Sequence, residues 1–205
     1  MKQEIKKIVG TVDISGWKKV DVEYGKSCLE ISVPPDCRVL TMKEMPAIAD
    51  PPAALRAALA KPISSPPLAE IVRRKAKRPE DVAVAITVSD ITRPVPYKGK
   101  SGIMTPLLRE LAAAGIRRPN ITIDVGTGMH RPSTDQEKLD MLGEEVCRDY
   151  RIVDHNCEDL ASLAYVGKTR TGGDVHVNAV FHRADLRIAT GLVESHFMAG
   201  VSGGR

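Results

Sequence analysis

Three short stretches of this sequence combine residue types that bind anions, move protons and hold metals. They are S-D-I-T-R-P at 89–94, G-T-G-M-H-R-P at 126–132 and G-L-V-E-S-H-F at 191–197. Glycines let backbone N–H groups approach a phosphate, and arginine binds a phosphate through two parallel hydrogen bonds. A carboxylate accepts hydrogen bonds from sugar hydroxyls, and histidine moves protons near neutral pH or binds a metal. Such a combination indicates a nucleotide-like cofactor beside histidine chemistry.

Individual residues of these stretches have both a functional and a structural interpretation. Arg93 or Arg131 suits a phosphate, and Asp90 suits a ribose. Asp90 also suits a turn, because Ser-Asp before Thr-Arg-Pro favours one. The G-T-G of 126–128 suits a tight strand-to-helix turn and lacks the full dinucleotide fingerprint. A loop histidine such as His130 needs no function by itself. The conjunction of three such stretches favours the functional interpretation.

Each stretch directly follows an apolar run that predicts a buried strand. The runs are residues 82–88, 121–125 and 186–190, and helices are predicted at about 101–114 and from about Ser133. Apolar strands that alternate with helices indicate a mostly parallel, Rossmann-like α/β sheet flanked by helices. The carboxyl ends of parallel strands meet at one edge of the sheet, where ligands bind. The three stretches are therefore expected to share one site.

The N-terminal region is predicted to be a small antiparallel β unit. Its candidate strands are residues 20–24, 29–33 and 38–41. This segment, 1–45, is expected to pack on the main α/β cofactor-binding domain, 46–205. The main domain has smaller predicted elements: a helix at 53–60, a helix capped by Ser65 with Pro66 at its first position, a short helix around 158–164 and a strand at 175–177.

The composition excludes several classes of protein. Hydrophobic residues make up 42% of the 205 residues, enough for a core, whereas 3% aromatic residues disfavour a surface that stacks nucleic-acid bases. The net charge of +4 fits a small anionic ligand better than nucleic acid. No stretch approaches about 18 apolar residues, so no membrane span is expected. The four cysteines show no C-x-x-C spacing, which predicts reduced thiols and a cytoplasmic protein: they are Cys28, Cys37, Cys147 and Cys157.

Four motifs carry a resemblance to a known family. S-D-I-T-R-P, G-T-G-M-H-R-P, G-K-T-R-T-G-G-D-V-H-V-N and G-L-V-E-S-H-F-M-A-G-V-S-G-G follow one another over about residues 80–205. In this order they resemble the lactate racemase family, whose enzymes use a nickel-pincer nucleotide. The N-terminal part corresponds to the opening segment of that family. The resemblance implies the N-terminal domain of a 2-hydroxyacid racemase or epimerase, an isomerase with a small-molecule substrate.

The resemblance also implies a mechanism and roles for residues. In the family a base takes the hydroxyl proton while hydride moves from C2 to the pyridinium ring of the cofactor, and hydride then returns to the opposite face. Carried over by motif, Asp90 and Arg93 would hold the ribose and phosphate of the cofactor. His130 would be a catalytic acid/base, and His196 a nickel ligand. The other predicted cofactor-binding residues are Thr92, Gly126, Gly128 and Arg131.

Two departures from the family pattern change what is expected. The family's lactate racemases carry a lysine after the Asn of V-x-V-N, where it joins the cofactor covalently, but here Ala179 follows Asn178. Cofactor binding is therefore expected to be noncovalent. The second catalytic histidine has no secure match, and the candidates are His155 and His176, with His182 weaker.

The last residues of the sequence are rich in glycine. Residues 200–205 lie in a glycine-rich segment that the family continues into a second domain, so the chain is interpreted as truncated before that domain and inactive by itself.

One alternative function is that of a noncatalytic nucleotide- or phosphate-binding domain of the same fold. Another is a metal hydrolase built on Asp154, His155 and His130, although their spacing is irregular for metal ligands.

Overall fold

The computed structural model describes residues 13–25, 27–41, 45–75, 77–198 and 200–203. The chain divides into two compact units, Met1–Ala47 and Ile48–Arg205. The first contains an antiparallel hairpin of β1, Lys18–Tyr24, and β2, Ser27–Val33.

The predicted strand at 38–41 is wrong, because these residues have no strand conformation. A turn in which the Cys37 N–H donates to the Pro34 carbonyl at 3.0 Å leads the chain away from β2. In the described part of this unit no third strand offers hydrogen bonds to residues 38–41. Alternation of apolar and polar side chains is thus not enough to form a strand here, because no described partner strand pairs with these residues.

The second unit is built on a four-stranded parallel sheet, as predicted. Its strands lie in the order β5-β4-β3-β8 and every neighbouring pair is parallel. The side chains of Ile86 and Ile123 are fully buried, because both faces of the central strands are covered. The strands are β3, Val84–Ser89; β4, Ile121–Gly126; β5, Arg151–Asp154; and β8, Leu186–Ala189.

Six short helices accompany the sheet within the described residues. Met104 and Leu111 bury one face of the third helix completely in the core. Tyr97 is also buried, and its hydroxyl accepts the Ser89 N–H at 2.7 Å at the end of β3. In the described part of the chain no helix is long and apolar enough to cross a membrane. The helices are α1, Pro51–Ala60; α2, Leu68–Arg73; α3, Met104–Ala113; α4, Asp135–Leu142; α5, Glu144–Asp149; and α6, Ala179–Arg183.

The start of α2 differs from the prediction. Its N-cap is Pro67, which makes no side-chain cap bond, and Ser65 instead donates to the carbonyl of Pro66. A residue before a proline is disfavoured in the helical region, so Pro66 stays outside the helix because Pro67 follows it. The expected Ser65 cap with Pro66 as first helical residue is wrong for this steric reason.

Two further antiparallel pairs lie outside the main sheet. β6, Leu163–Lys168, pairs with β7, Asp174–Asn178, and β9, Glu194–His196, pairs with β10, Gly200–Ser202. The predicted helix around 158–164 is wrong: only Leu160–Ser162 forms a 3₁₀ turn. Pairing with β7 from Leu163 onward holds the following residues extended, so tertiary hydrogen bonds override the local helical preference.

A capping box begins α4, the helix after the G-T-G loop. Thr134 Oγ1 accepts the Glu137 N–H at 3.2 Å, and Glu137 Oε2 accepts the Thr134 N–H at 2.8 Å. Replacing Thr134 by alanine removes one of these bonds, so we expect the free energy of unfolding to fall by about 1 kcal/mol. Urea denaturation measures this loss. Ser101→Ala, at an exposed hydroxyl that makes no bond within the described protein, is the control, and an equal loss there would contradict the capping role.

Candidate active site at the carboxyl edge of the sheet

The three sequence stretches meet at the carboxyl edge of the parallel sheet. A cavity of about 320 Å³ lies between the loop after β3, the loop after β4 and the segment after β8. Leu192 and Gly203 contribute the wall from that last segment. Six of the residues singled out in the sequence line this rim cavity: Asp90, Thr92, Arg93, Gly126, Gly128 and His130.

Asp90 and His130 form a direct pair inside the rim cavity. Asp90 Oδ2 lies 2.5 Å from His130 Nδ1, and Asp90 Oδ1 accepts the N–H of Thr92 at 3.1 Å and its hydroxyl at 2.5 Å. The Asp90 side chain is 9% exposed. Burial raises the pKa of Asp90, but the hydrogen bonds from Thr92 and His130 outweigh it and hold the pKa below its ordinary value. Asp90 is therefore an anion in the folded protein.

An ionised Asp90 determines which nitrogen of His130 carries a proton. A carboxylate only accepts hydrogen bonds, so Nδ1 must donate, and Nε2 is the nitrogen that takes up or releases a proton. Both oxygens of Asp90 already have partners within the chain. Asp90 is thus arranged to orient the His130 ring, and the ribose binding expected from the sequence stays a prediction.

The G-T-G loop connects His130 to His155. The Thr127 side chain is buried and its hydroxyl donates to the His155 carbonyl at 2.6 Å, while the His130 N–H donates to the Thr127 carbonyl at 2.9 Å. Gly128 has φ +59°, a left-handed conformation that favours glycine and lets the chain turn back toward the rim. His130 and His155 both line a second cavity of about 260 Å³ next to this loop.

The other two histidine candidates lie elsewhere. His176 is exposed in β7, where its ring centroid lies 5.3 Å from that of Tyr165 across the β6–β7 pair. His182 is exposed in α6. Among the described residues that line the rim cavity and the adjacent one, neither His176 nor His182 is present. His155 is the candidate that the structure brings next to His130.

The two arginines of the motifs have carboxylate partners. Arg93 Nε lies 2.9 Å from Glu194 Oε1, which joins the loop after β3 to β9. Arg131 holds Glu137 through two bonds of 2.8 and 2.6 Å, and this contact, followed by the Thr134 N–H, lowers the pKa of Glu137 to about 2. Arg93 lines the rim cavity but Arg131 lines the adjacent one, so Arg93 is the better placed to bind a phosphate.

His196 ends β9, and its Nδ1 accepts the Met198 N–H at 3.2 Å. No group of three His, Cys, Asp or Glu side chains in the described part of the chain is arranged to hold a metal ion. One imidazole suffices as a protein ligand when the remaining donors belong to the organic part of a cofactor. His196 and the other described residues are therefore compatible with a metal ion that is bound mainly by a nucleotide cofactor. They are not compatible with a metal centre whose ligands all come from the described protein.

Because the described residues contain no group of three side chains arranged to hold a metal ion, the metal-hydrolase interpretation has no support. Asp154 lies at the end of β5, but its carboxylate accepts the Ser133 N–H at 3.1 Å and lies 2.6 Å from Lys138 Nζ. Burial raises the pKa of Asp154, yet the bonds from Lys138 and Ser133 bring it below its ordinary value. A carboxylate committed to these partners has a structural role.

Sequence inspection missed a buried carboxylate, Asp124, on the inner part of β4. Asp124 is 2% exposed and accepts a hydrogen bond of 3.0 Å from Asn178 Nδ2. Asn178 Oδ1 in turn caps α6 by accepting the N–H groups of Val180 and Phe181 at 2.8 and 3.2 Å. Burial, and then the negative charge of Asp154, raises the pKa of Asp124 to about 6. The sequence feature that could have revealed this buried carboxylate is a single acidic residue inside the otherwise mostly apolar run I-T-I-D-V.

Comparisons with known proteins agree on one family. The model of the lactate racemase N-terminal domain matches residues 24–205. A lactate racemase from Lactiplantibacillus plantarum is 41% identical over 144 residues, which cover 70% of this chain and 32% of that protein. A lactate racemase from Thermoanaerobacterium thermosaccharolyticum is 36% identical over 134 residues, which cover 63% of this chain and 30% of that protein.

A solved structure supports the same conclusion about the fold. The lactate racemase apoprotein from Thermoanaerobacterium thermosaccharolyticum superimposes with a TM-score of 0.67 and 28% identity, over 90% of this chain and 41% of that one. This chain therefore spans about a third of the length of the curated relatives it matches.

Proposed function

The chain belongs to the lactate racemase N-terminal domain family, and from this we propose that it is the cofactor-binding part of a nickel-dependent 2-hydroxyacid racemase or epimerase. The observation that carries the proposal is the Asp90–His130 pair in the rim cavity. It provides an oriented imidazole beside glycine-rich backbone and Arg93, which suits proton transfer next to an anionic cofactor.

His130 is the proposed acid/base for the substrate hydroxyl. Its Nε2 takes the proton from the hydroxyl at C2, and Asp90 stabilises the imidazolium that results. When bound, the nickel-pincer nucleotide would supply a pyridinium ring as the hydride acceptor and donor for C2. His130 then gives the proton back, so that the substrate leaves with no net oxidation.

A racemase must serve both enantiomers, and this requirement supports a second acid/base. His155 is the proposed residue, because it lines the same cavity as His130 and its backbone is tied to β4 and to Thr127. A residue held in this way needs little reorganisation when a substrate binds. His176, stacked beside Tyr165, is the weaker candidate.

The cofactor is proposed to bind without a covalent bond. Thr92, Arg93 and the backbone of 126–128, which line the rim cavity, are the groups that would hold its polar part. His196, which ends β9 and is not among the residues that line that cavity, would be the nickel ligand. A neutral imidazole has one unprotonated nitrogen, so nickel binding at His196 requires a change in its hydrogen bond with Met198. Ala179, buried at the start of α6, has no amine that could react with the cofactor.

The test uses the intact protein produced together with the cofactor-making pathway. A single enantiomer of lactate, or of another 2-hydroxyacid, should become the racemic mixture without accumulation of keto acid, as measured by chiral chromatography. Intact-mass analysis of the unfolded chain should show no cofactor adduct. A stable adduct would contradict noncovalent binding, and racemisation by residues 1–205 alone would contradict the need for the rest of the enzyme to exclude water.

One outcome would favour the alternative function. Ala179 in place of lysine is compatible with a noncatalytic domain that binds a nucleotide or phosphate. Retention of the nucleotide by the intact protein, with no conversion of any 2-hydroxyacid tested, would support that alternative and reject the racemase proposal.

A further inference from the structure

A separate cavity of about 260 Å³ lies between α1, the loop at 98–102 and α3. α1 packs against α3, so the cavity is a cleft between two helices. It shares no lining residue with the rim cavity or with the cavity beside His155. The cleft is therefore separate from both of those cavities.

Positive charge dominates this cleft. Arg56 comes from α1, Lys100 from the loop and Arg109 from α3, and Glu110 is the acidic residue in the lining. Within the part of the chain that the structure describes, none of the three cations makes a hydrogen bond or an ion pair through its side chain. Three cations converging on one cleft repel one another, and an anion in the cleft removes that repulsion.

Several other cations of the second unit have acidic partners within the chain. Arg118 lies 2.9 Å from Asp149, Lys138 lies 2.6 Å from Asp154, and Arg131 holds Glu137 bidentately. The three cations that line the cleft are exposed and lack such partners within the described protein.

The backbone gives one wall of the cleft a defined shape. The Gly102 N–H donates to the Gly99 carbonyl at 3.0 Å, and Gly99 has φ +82°. A Cβ on Gly102 would lie 2.5 Å from the Tyr97 carbonyl oxygen, so only glycine permits this close packing. Thr105, in the first turn of α3, adds a hydroxyl to the lining. A wall of fixed shape loses little entropy when a ligand binds.

We infer that this cleft binds a small phosphate-bearing anion. The two guanidinium groups suit the paired oxygens of a phosphate, and Lys100 supplies a third, point-like charge. The volume lies below the roughly 300–1,000 Å³ of pockets for drug-sized ligands, so it suits a phosphate group with few attached atoms. A concave cleft between two helices suits such a molecule better than it suits a membrane surface.

The experiment measures binding of inorganic phosphate and pyrophosphate to the intact protein by calorimetry at low ionic strength. Saturable binding is expected, and Arg56→Gln with Arg109→Gln should weaken it at least about 10-fold, because two charge-assisted contacts are lost. Arg73→Gln with Arg170→Gln removes the same net charge from exposed arginines without partners in the described protein, and should leave the affinity within about 2-fold.

Both pairs of variants keep Arg93, so phosphate binding that survives unchanged in Arg56→Gln with Arg109→Gln is binding at the rim, which separates this cleft from the proposed cofactor site. Circular dichroism and melting without phosphate establish that each variant is folded. The proposal is overturned by absence of saturable binding, by unchanged binding in the Arg56/Arg109 pair, by equal weakening in the Arg73/Arg170 pair, or by binding to anionic lipid vesicles in place of phosphate. Each readout is binding, so failure of the racemase proposal leaves this test intact.

Discussion

Replacing His130 by alanine is expected to lower the turnover of the intact enzyme by about 10²–10⁴-fold, the usual contribution of a positioned acid/base. The reason is that His130 is the imidazole whose orientation Asp90 controls, with a 2.5 Å contact at Nδ1 that leaves Nε2 to exchange protons. Because His130 is not the proposed metal ligand, nickel content should remain nearly unchanged. Chiral chromatography gives the rate, and elemental analysis gives nickel per chain.

Two companion variants separate proton transfer from cofactor binding. His196→Ala should lower nickel retention, since it removes the proposed protein ligand. Asp90→Asn should retain nickel but lower turnover, because an amide, which can donate as well as accept, no longer fixes Nδ1 of His130 as the donor. Equal nickel loss in the His130 and His196 variants would show that these roles are assigned wrongly.

Replacing Asp124 by asparagine is expected to change the pH dependence of stability by about 3 kcal/mol. The pKa of this carboxyl is raised from 3.8 to about 6, chiefly by burial and then by the charge of Asp154. A raised pKa means that the contribution of Asp124 to stability is fully present below about pH 4 and is lost as the pH rises through about 6. Asparagine does not ionise, and it keeps an oxygen that accepts the Asn178 amide hydrogen.

The variant and the wild type should therefore differ little at pH 4, while above pH 6 the variant should be more stable by up to that amount. Urea denaturation at a series of pH values measures the difference. Asp21→Asn serves as control, because among the described residues Asp21 is exposed and contacts neither a donor nor a cation through its carboxylate. A constant difference between wild type and Asp124→Asn from pH 4 to pH 8 would contradict the raised pKa.

The predicted parallel sheet was recognisable because its signal is local. The runs at 82–88 and 121–125 are rich in Val, Ile and Ala, with only Thr87, Thr122 and Asp124 as polar residues, and the structure has β3 at Val84–Ser89 and β4 at Ile121–Gly126. Strands covered on both faces carry apolar side chains at most positions, so the pattern can be recognised without any knowledge of neighbours. The family resemblance is also confirmed. The short motifs that carry it could be recognised in the sequence without knowledge of the fold.

Segments whose conformation depends on distant partners were predicted less well. Residues 38–41 alternate like a strand, but no neighbour pairs with them in the described part of the first unit. Residues around 158–164 look helical, yet Leu163 begins a strand because β7 supplies its hydrogen bonds. A local pattern states a preference, and the free energy of pairing with a distant segment decides the outcome.

The candidate site shows the same division between local and tertiary information. By itself the sequence determined that the Asp90, His130 and His196 stretches follow strand ends, and it thus predicted a common edge. Only the tertiary structure decided that Asp90 is bound to His130, that Arg131 is bound to Glu137, and that His155 rather than His176 lies beside His130. Hydrogen bonds and pKa values depend on distances of a few ångströms between residues that are far apart in the sequence, such as Asp124 and Asn178, 54 positions apart. Such distances exist only once the chain has folded.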